Sequence, residues 1–242
     1  MVTRIFLEDR LEPGEVFALP RGEDHHLRRV LRARSGERFE AVDAVGRLFM
    51  AELREGASAE AVELLNEAGV EERAEVWLYQ AVPKGKRMDL LVEKATEVGV
   101  AGITPLVCER SVVRPGGNKV ERWRRIAESA ARQALRLRVP EVREPVVFRE
   151  AVREVRERGV LLHNSPGLDP LEERARGAVA LLVGPEGGWS ANEIEEALRC
   201  GLSLAQLGPF RLRSETAGVV AVARVRAMLE NGTVTEDERS HR

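Results

Sequence analysis

The chain has 242 residues, enough for one large or two modest domains with a buried core. Its hydrophobic fraction of 43% is ordinary for a folded protein, and no apolar run approaches the length of a membrane span, so we expect no membrane segment. The net charge is −2, so the chain as a whole is not strongly basic. The two cysteines and four histidines show no metal-ligand spacing, so we expect no bound metal. We expect the two cysteines to be reduced and the protein to be cytoplasmic.

Positive charge is concentrated in two arginine-rich segments, 21–38 and 119–138. Arginine suits phosphate because its planar guanidinium offers paired donors and is weakly hydrated. A heat-adapted surface of arginine and glutamate remains an alternative for any single position, because asparagine and glutamine are scarce. The two clusters taken together favour contact with an anionic partner.

The first 70 residues are predicted to be mostly β. Leu27, Val30 and Leu31 recur at helical spacing and predict one helical piece within them. Short strands at this spacing predict a small barrel, followed by a glutamate-rich linker at 66–74. The predicted strands are 4–7, 15–19, 38–42 and 47–53.

From Glu75 onward strands alternate with helices, which predicts a layered α/β domain. Asn118 and Glu121 predict a capping box that opens a helix ending at Pro140. The other predicted helices are 88–98 and 148–158, and the predicted strands are 76–82, 103–107, 160–163 and 178–183.

Two glycine-marked turns, 184–188 and 208–213, follow apolar runs and precede helical segments. Ser190 and Glu193 predict a capping box for the helix after the first turn. Glycines in such turns let backbone approach a ligand closely. The first turn is neither a P-loop nor a dinucleotide fingerprint, so spacing alone leaves a structural turn and a ligand loop equally open.

The second turn places charged and hydroxyl residues, 213–217, ahead of a segment, 218–223, that is apolar on every side. Such a segment predicts a helix buried all round, with a polar N-terminus near the surface. Two interpretations remain open. Arg213 and Glu215 either pair with each other or face a ligand.

These motifs resemble the SPOUT superfamily of S-adenosylmethionine-dependent RNA methyltransferases, and within it the ribosomal RNA small subunit methyltransferase E family. The resemblance covers almost the whole chain. The segments that carry it are 4–6, 25–32, 84–89, 93–100, 103–106, 109–112, 184–188, 207–208 and 212–217.

The resemblance implies an α/β fold in two parts. A small PUA-like, RNA-binding β-barrel, 1–70, would precede a SPOUT methyltransferase domain, 74–232, whose parallel sheet is tied in a trefoil knot. It further implies a homodimer that methylates N3 of a uridine in 16S ribosomal RNA, with S-adenosylmethionine as cofactor and the rRNA or the small ribosomal subunit as partner.

By the same resemblance, Arg213 would stabilise the anion formed at the base, and Glu215 would orient Arg213 or act as the base. Ser214 stands where the family usually has threonine, and Arg132 stands where glutamate is common, so Arg132 is given no role. The implied cofactor-binding residues are Leu162, His163, Gly184, Glu186, Gly187, Gly188, Leu207, Gly208, Leu212, Ser214, Thr216 and Ala217. The implied contacts to RNA phosphates are Arg4, His25, Arg28 and Arg32.

Two other functions remain open. One is a non-catalytic RNA-binding or ribosome-assembly protein with a degenerate cofactor site. The other is a nucleotide-binding α/β enzyme that places the Gly184 turn on a phosphate. The intact residues Gly187, Gly188 and 213–217 favour the methyltransferase over both.

Overall fold

The computed structural model of the chain describes residues 3–67, 75–113, 115–175 and 179–237, with side chains up to residue 230. The chain divides into two compact units. Unit 1 contains residues 1–73 and 131–139, and unit 2 contains residues 74–130 and 140–242. The predicted linker at 66–74 lies mainly outside the described residues.

Unit 1 is built on a five-stranded sheet in the order β1-β3-β4-β5-β2. Only β1 and β3 run parallel, and the other neighbours are antiparallel. The four predicted strands are confirmed, and β5 was missed. The strands are β1 (Arg4–Phe6), β2 (Val16–Ala18), β3 (Arg38–Val42), β4 (Leu48–Leu53) and β5 (Ser58–Asn66).

The predicted helical piece of unit 1 consists of α1 (Glu23–His25), which continues into a π-helical segment (His26–Val30). Of the three apolar residues expected to share a buried face, only Leu27 is buried. Val30 and Leu31 are exposed, because the i→i+5 bonding of a π-turn widens the turn and breaks the 3.6-residue spacing.

Unit 2 is built on a seven-stranded, wholly parallel sheet in the order β12-β10-β11-β6-β7-β8, with β9 also paired to β7. Every residue of β10 and β11 is buried, as expected for parallel strands covered on both faces. The predicted α/β domain is therefore confirmed. The strands are β6 (Val76–Ala81), β7 (Gly102–Val107), β8 (Glu141–Val142), β9 (Val146–Val147), β10 (Gly159–Leu162), β11 (Val179–Val183) and β12 (Ser203–Ala205).

The helices that follow α1 are α2 (Arg87–Glu97), α3 (Gly117–Gln133), α4 (Phe148–Val155), α5 (Leu171–Arg174), α6 (Ala191–Arg199) and α7 (Ser214–Asp237). The predicted capping box of α6 is confirmed. Ser190 Oγ accepts from the backbone N–H of Glu193 at 3.2 Å, and Glu193 Oε2 accepts from that of Ser190 at 2.9 Å. No helix in the described part of the chain has both the length and the apolar composition needed to cross a membrane.

Helix α3 ends at Gln133, well before Pro140, so its predicted end was wrong. Leu135 takes a left-handed conformation, with φ of 55°. The N–H of Leu135 bonds to the carbonyl of Arg132 at 3.3 Å, and that of Arg136 bonds to the carbonyl of Ala131 at 3.0 Å. This Schellman motif ends the helix before the proline is reached. Asn118 lies inside α3, which begins at Gly117, and is not its cap.

The apolar start of α7 is buried on one side only. Ala221, Val222 and Val225 are fully buried, whereas Val219 and Val220 are partly exposed. The helix packs against α2, β6 and β11, which cover one of its faces. The prediction of burial on every side is therefore wrong for a single chain, because Val219 and Val220 keep part of their surface accessible.

Candidate functional site

Both glycine loops, which follow β11 and β12, line a single cleft of about 590 Å³ together with the end of β10. The carboxyl ends of parallel strands meet at one edge of a sheet, which is where α/β proteins bind ligands. The predicted site residues that line the cleft are Leu162, His163, Gly184, Glu186, Gly188, Leu207, Gly208, Leu212, Arg213, Ser214 and Ala217. Gly187, Glu215 and Thr216 are close in sequence but do not line it.

The first loop is closed by Trp189, which sequence analysis missed. Its indole Nε1 donates to the carbonyl of Leu162 at 2.9 Å, and its ring packs over Gly184. A Cβ at Gly184 would lie 2.9 Å from Cε2 of the indole, so only glycine fits this close approach. An aromatic residue directly after the glycine turn was the signal available in the sequence.

Ser214 connects three elements around the cleft. Its Oγ donates to the carbonyl of Gly184 at 2.7 Å and accepts from Nε2 of Gln80 at 2.8 Å. Gln80 is fully buried in β6, so the hydroxyl ties the central sheet to the first loop and to the start of α7. A buried, fully used hydroxyl of this kind fixes the relative position of the two loops.

Arg213 and Glu215 point to different surroundings. The carbonyl of Arg213 accepts from the N–H of Ala217 at 2.8 Å, which makes Arg213 the N-cap of α7, and its exposed side chain lines the cleft. Glu215 is buried, and its Oε1 lies 3.7 Å from Nε of Arg87.

No ion pair joins Arg213 to Glu215 among the described residues, so the structure does not show the first of the two interpretations, in which they pair with each other. The carboxylate of Glu215 faces α2, because its position one residue into α7 turns it toward Arg87. Its Oε2 is buried and has no hydrogen-bond partner within the described residues.

Glu186 is the carboxylate that lines the cleft. Its Oε1 accepts from the backbone N–H of Lys84 at 3.3 Å and lies 3.5 Å from Nη1 of Arg87. Arg87 therefore stands between Glu186 and Glu215. These contacts are long and partly exposed, so the carboxylate of Glu186 remains available to a cationic ligand.

Two of the four arginine or histidine side chains predicted to contact RNA have structural partners in unit 1. Arg4 is buried and bonds to Glu40 at 2.6 Å and to the carbonyl of Arg136 at 3.0 Å. Arg28 bonds to Asp24 at 2.6 Å and to the carbonyl of Gly56 at 2.6 Å. Their guanidinium groups are thus engaged in holding the fold, and a phosphate contact by either stays a prediction.

The other two, His25 and Arg32, are exposed. Arg21, Arg29 and Arg34 are exposed beside them, and within the described ranges none of these four arginines has an ion pair. The free positive charge of this segment therefore lies on Arg32, which was predicted, and on Arg21, Arg29 and Arg34, which were not. Sequence spacing could not distinguish the exposed arginines from those with structural partners, because the burial of each side chain depends on the π-helical turn.

The described residues contain no group of three or more His, Cys, Asp or Glu side chains placed to hold a metal ion. Cys108 and Cys200 are free thiols, and Cys108 is buried. Burial, with a smaller contribution from the charge of Glu193, raises the pKa of the Cys108 thiol above its ordinary value. Cys108 is consequently an unreactive core residue.

Comparison with known proteins gives consistent results. A model described as RNA methyltransferase domain matches residues 49–226, and one described as RNA methyltransferase PUA domain matches residues 19–65. The chain is 36% identical to the ribosomal RNA small subunit methyltransferase E of Synechocystis sp., over 86% of this chain and 71% of that one.

Two solved structures are similar over nearly their whole length. The ribosomal RNA small subunit methyltransferase E of Neisseria gonorrhoeae, bound to S-adenosylmethionine, has a TM-score of 0.82 and 31% identity, covering 94% of this chain and 98% of that one. A methyltransferase from Legionella pneumophila, in complex with the bound cofactor SAM, has a TM-score of 0.81 with the same identity and coverage.

Proposed function

The chain belongs to the ribosomal RNA small subunit methyltransferase E family of RNA methyltransferases, and from that premise we propose that it transfers a methyl group from S-adenosylmethionine to N3 of a uridine in 16S ribosomal RNA. The observation that carries the proposal is the cleft, in which both glycine loops and the exposed guanidinium of Arg213 converge.

The cleft fits S-adenosylmethionine in size and chemistry. Its volume of about 590 Å³ is in the range of small-molecule sites. Leu162, Val183 and Leu207 provide apolar walls for an adenine ring, and Glu186 provides a carboxylate for the sulfonium or the ribose hydroxyls. The close approach of Trp189 to Gly184 keeps the backbone of the first loop at the wall of the cleft.

The protein's contribution to the reaction is mainly orientation and electrostatics. Bound S-adenosylmethionine supplies an electrophilic methyl group on a sulfonium. The two loops, joined through Ser214, hold the reacting groups in a fixed geometry. N3 of uridine must lose its proton, and Arg213, at the positive end of α7, stabilises the negative charge that develops on the base.

The structure supports Glu215 less well as the base. It is buried against Arg87 and does not line the cleft. We therefore propose that Arg213 stabilises the imide anion, so that the N3 proton passes to solvent water rather than to a side-chain base, and that Glu215 positions the start of α7.

Mass mapping of methylated uridines tests the function. Small-subunit rRNA from cells lacking this protein should lack one N3-methyluridine, and the purified protein with S-adenosylmethionine should restore it. Isothermal titration calorimetry with the cofactor distinguishes the methyltransferase from the main alternative, because a non-catalytic RNA-binding protein with a degenerate site would give no binding heat. An unchanged rRNA methylation pattern in those cells would overturn the proposal.

We also propose that unit 1 supplies part of the RNA-binding surface, through its exposed arginines. Replacing Arg29 and Arg32 with glutamine should weaken RNA binding and flatten its salt dependence, by about 0.7 to 0.9 in the log–log slope for each phosphate that is no longer neutralised. The measurement is the RNA dissociation constant over a range of salt concentrations.

Arg10→Gln is the matched control, because Arg10 is an exposed arginine of unit 1 that is paired with Glu12. It should leave the slope unchanged. If the Arg29 and Arg32 variant keeps the wild-type slope, this segment does not bind the RNA backbone. Arg28→Gln should instead destabilise unit 1, since its guanidinium holds the loop at Gly56.

The remaining features expected of the family are proposals as well. One is a trefoil knot in the segment that carries both loops. Another is the division of the chain into a PUA-like part, 1–70, and a methyltransferase part, 74–232. The last two are a cytoplasmic reaction on rRNA or the small subunit, and a homodimer. The partial exposure of the apolar residues Val219 and Val220 on α7 supports the homodimer. Light scattering should then give twice the mass of the chain.

A further inference from the structure

Phe210 has the greatest exposed fraction, 81%, among the large hydrophobic side chains that the structure describes. Single exposed apolar residues are common on protein surfaces and usually need no explanation. Phe210 differs in its place, because it lines the cleft formed by the two glycine loops.

The loop that carries Phe210 is anchored at its base. Nη1 of Arg224 donates to the carbonyl of Leu207 at 2.8 Å, and Nη2 of Arg224 bonds to Glu172 at 2.7 Å. The N–H of Gln206 bonds to the carbonyl of Asp169 at 3.0 Å. The base of the loop that carries Phe210 is thus held in place, which lowers the entropy cost of binding a partner.

The charges beside the ring are positive. Arg211 and Arg213 follow Phe210 in the loop, both are exposed and both line the cleft, and in the part of the chain that is described neither has an ion pair. An aromatic face next to free guanidinium groups matches the chemistry of a nucleotide, which has a flat base and a charged phosphate.

We propose that Phe210 stacks on the target base of the RNA and holds it beside the cleft while the base receives the methyl group. The inference rests on the proposed function and assigns it a base-contacting residue. The apolar walls formed by Leu162, Val183 and Leu207 already suit the adenine ring, so the outer position of Phe210 is free for the substrate base.

Steady-state kinetics of three variants tests the inference. Phe210→Ala should raise the KM for RNA by about 10- to 100-fold, the effect of removing one base–aromatic stack. Phe210→Tyr keeps the flat ring and should stay close to wild type. Phe210→Leu keeps apolar surface without a π-face and should resemble the alanine variant. The dissociation constant of S-adenosylmethionine, measured by calorimetry, should be the same in all three.

Leu198→Ala is the matched control, because Leu198 is exposed on α6 and does not line the cleft. It should leave the KM for RNA unchanged. If the wild-type protein methylates RNA but Phe210→Ala keeps its KM, the stacking role is wrong. If Phe210→Ala reduces cofactor affinity by the same factor, the ring covers the cofactor instead. If the wild-type protein methylates no RNA, the proposed function itself fails.

Discussion

Arg213→Ala should lower kcat for methyl transfer by about 100- to 1,000-fold, the effect expected when one preorganised donor to a developing anion is removed. Affinity for S-adenosylmethionine should be nearly unchanged, because the proposed cofactor contacts are the backbone of the loops and the apolar walls. The side chain of Arg213 lines the cleft but is exposed to solvent. Steady-state kinetics with saturating cofactor and RNA measures kcat, and calorimetry measures cofactor binding.

Arg211→Ala is the matched control for charge. Arg211 is a neighbouring exposed arginine that lines the same cleft, so its removal should act on the KM for RNA rather than on kcat. Equal reductions of kcat and cofactor affinity in Arg213→Ala would show that Arg213 is a cofactor ligand. Glu215→Gln tests whether Glu215 is the base that removes the N3 proton. A fall in kcat as large as that of Arg213→Ala would make Glu215 the base.

Gly218→Val should lower the free energy of unfolding by about 3 kcal/mol or more, through overpacking of a closed core. A Cβ at Gly218 would lie 2.4 Å from Oε1 of Gln80 and 3.0 Å from Cδ1 of Leu91, and both side chains are buried. The corresponding fall in the melting temperature is about 6–12 °C for a chain of this size. Differential scanning calorimetry measures it.

The substitution should also reduce cofactor affinity, because Gln80 holds the hydroxyl that joins the two loops. Gly117→Val is the matched control, since Gly117 is also helical but a Cβ there would meet no atom within 4 Å. A melting temperature for Gly218→Val equal to that of the Gly117 variant would mean that α7 can move away from β6 without cost.

The sequence was sufficient to predict an element wherever its residue types and its hydrophobic periodicity indicated the same structure. β11 is a continuous apolar run and β6 is apolar except for Gln80, and both were placed within one or two residues. Ser190 and Glu193 form the expected capping box, because that motif needs only residues three apart. Both glycine turns were found from their composition, and the family from the motifs that they carry.

The sequence was insufficient where a segment had weak propensity. β5 was missed because its inward positions are alanine, Ala59 and Ala61, which give almost no apolar alternation and favour helix in isolation. The sheet supplies what the segment lacks, since β5 pairs with both β4 and β2. Likewise, the end of α3 was placed at a proline, although a left-handed leucine stops the helix first.

What the chain encodes by itself is therefore the order of its elements, the two glycine loops and the residue types that surround the cleft. Only the tertiary structure decided which charges are free. Arg29 and Arg32 are exposed, whereas Arg4 is occupied by Glu40 and Arg28 by the carbonyl of Gly56, both of which are distant in sequence within unit 1. The partner of Glu215 was decided in the same way, because Arg87 is far from it in sequence and close only once α2 packs on α7. Charge pairing depends on distances between elements, and no local pattern in a sequence contains them.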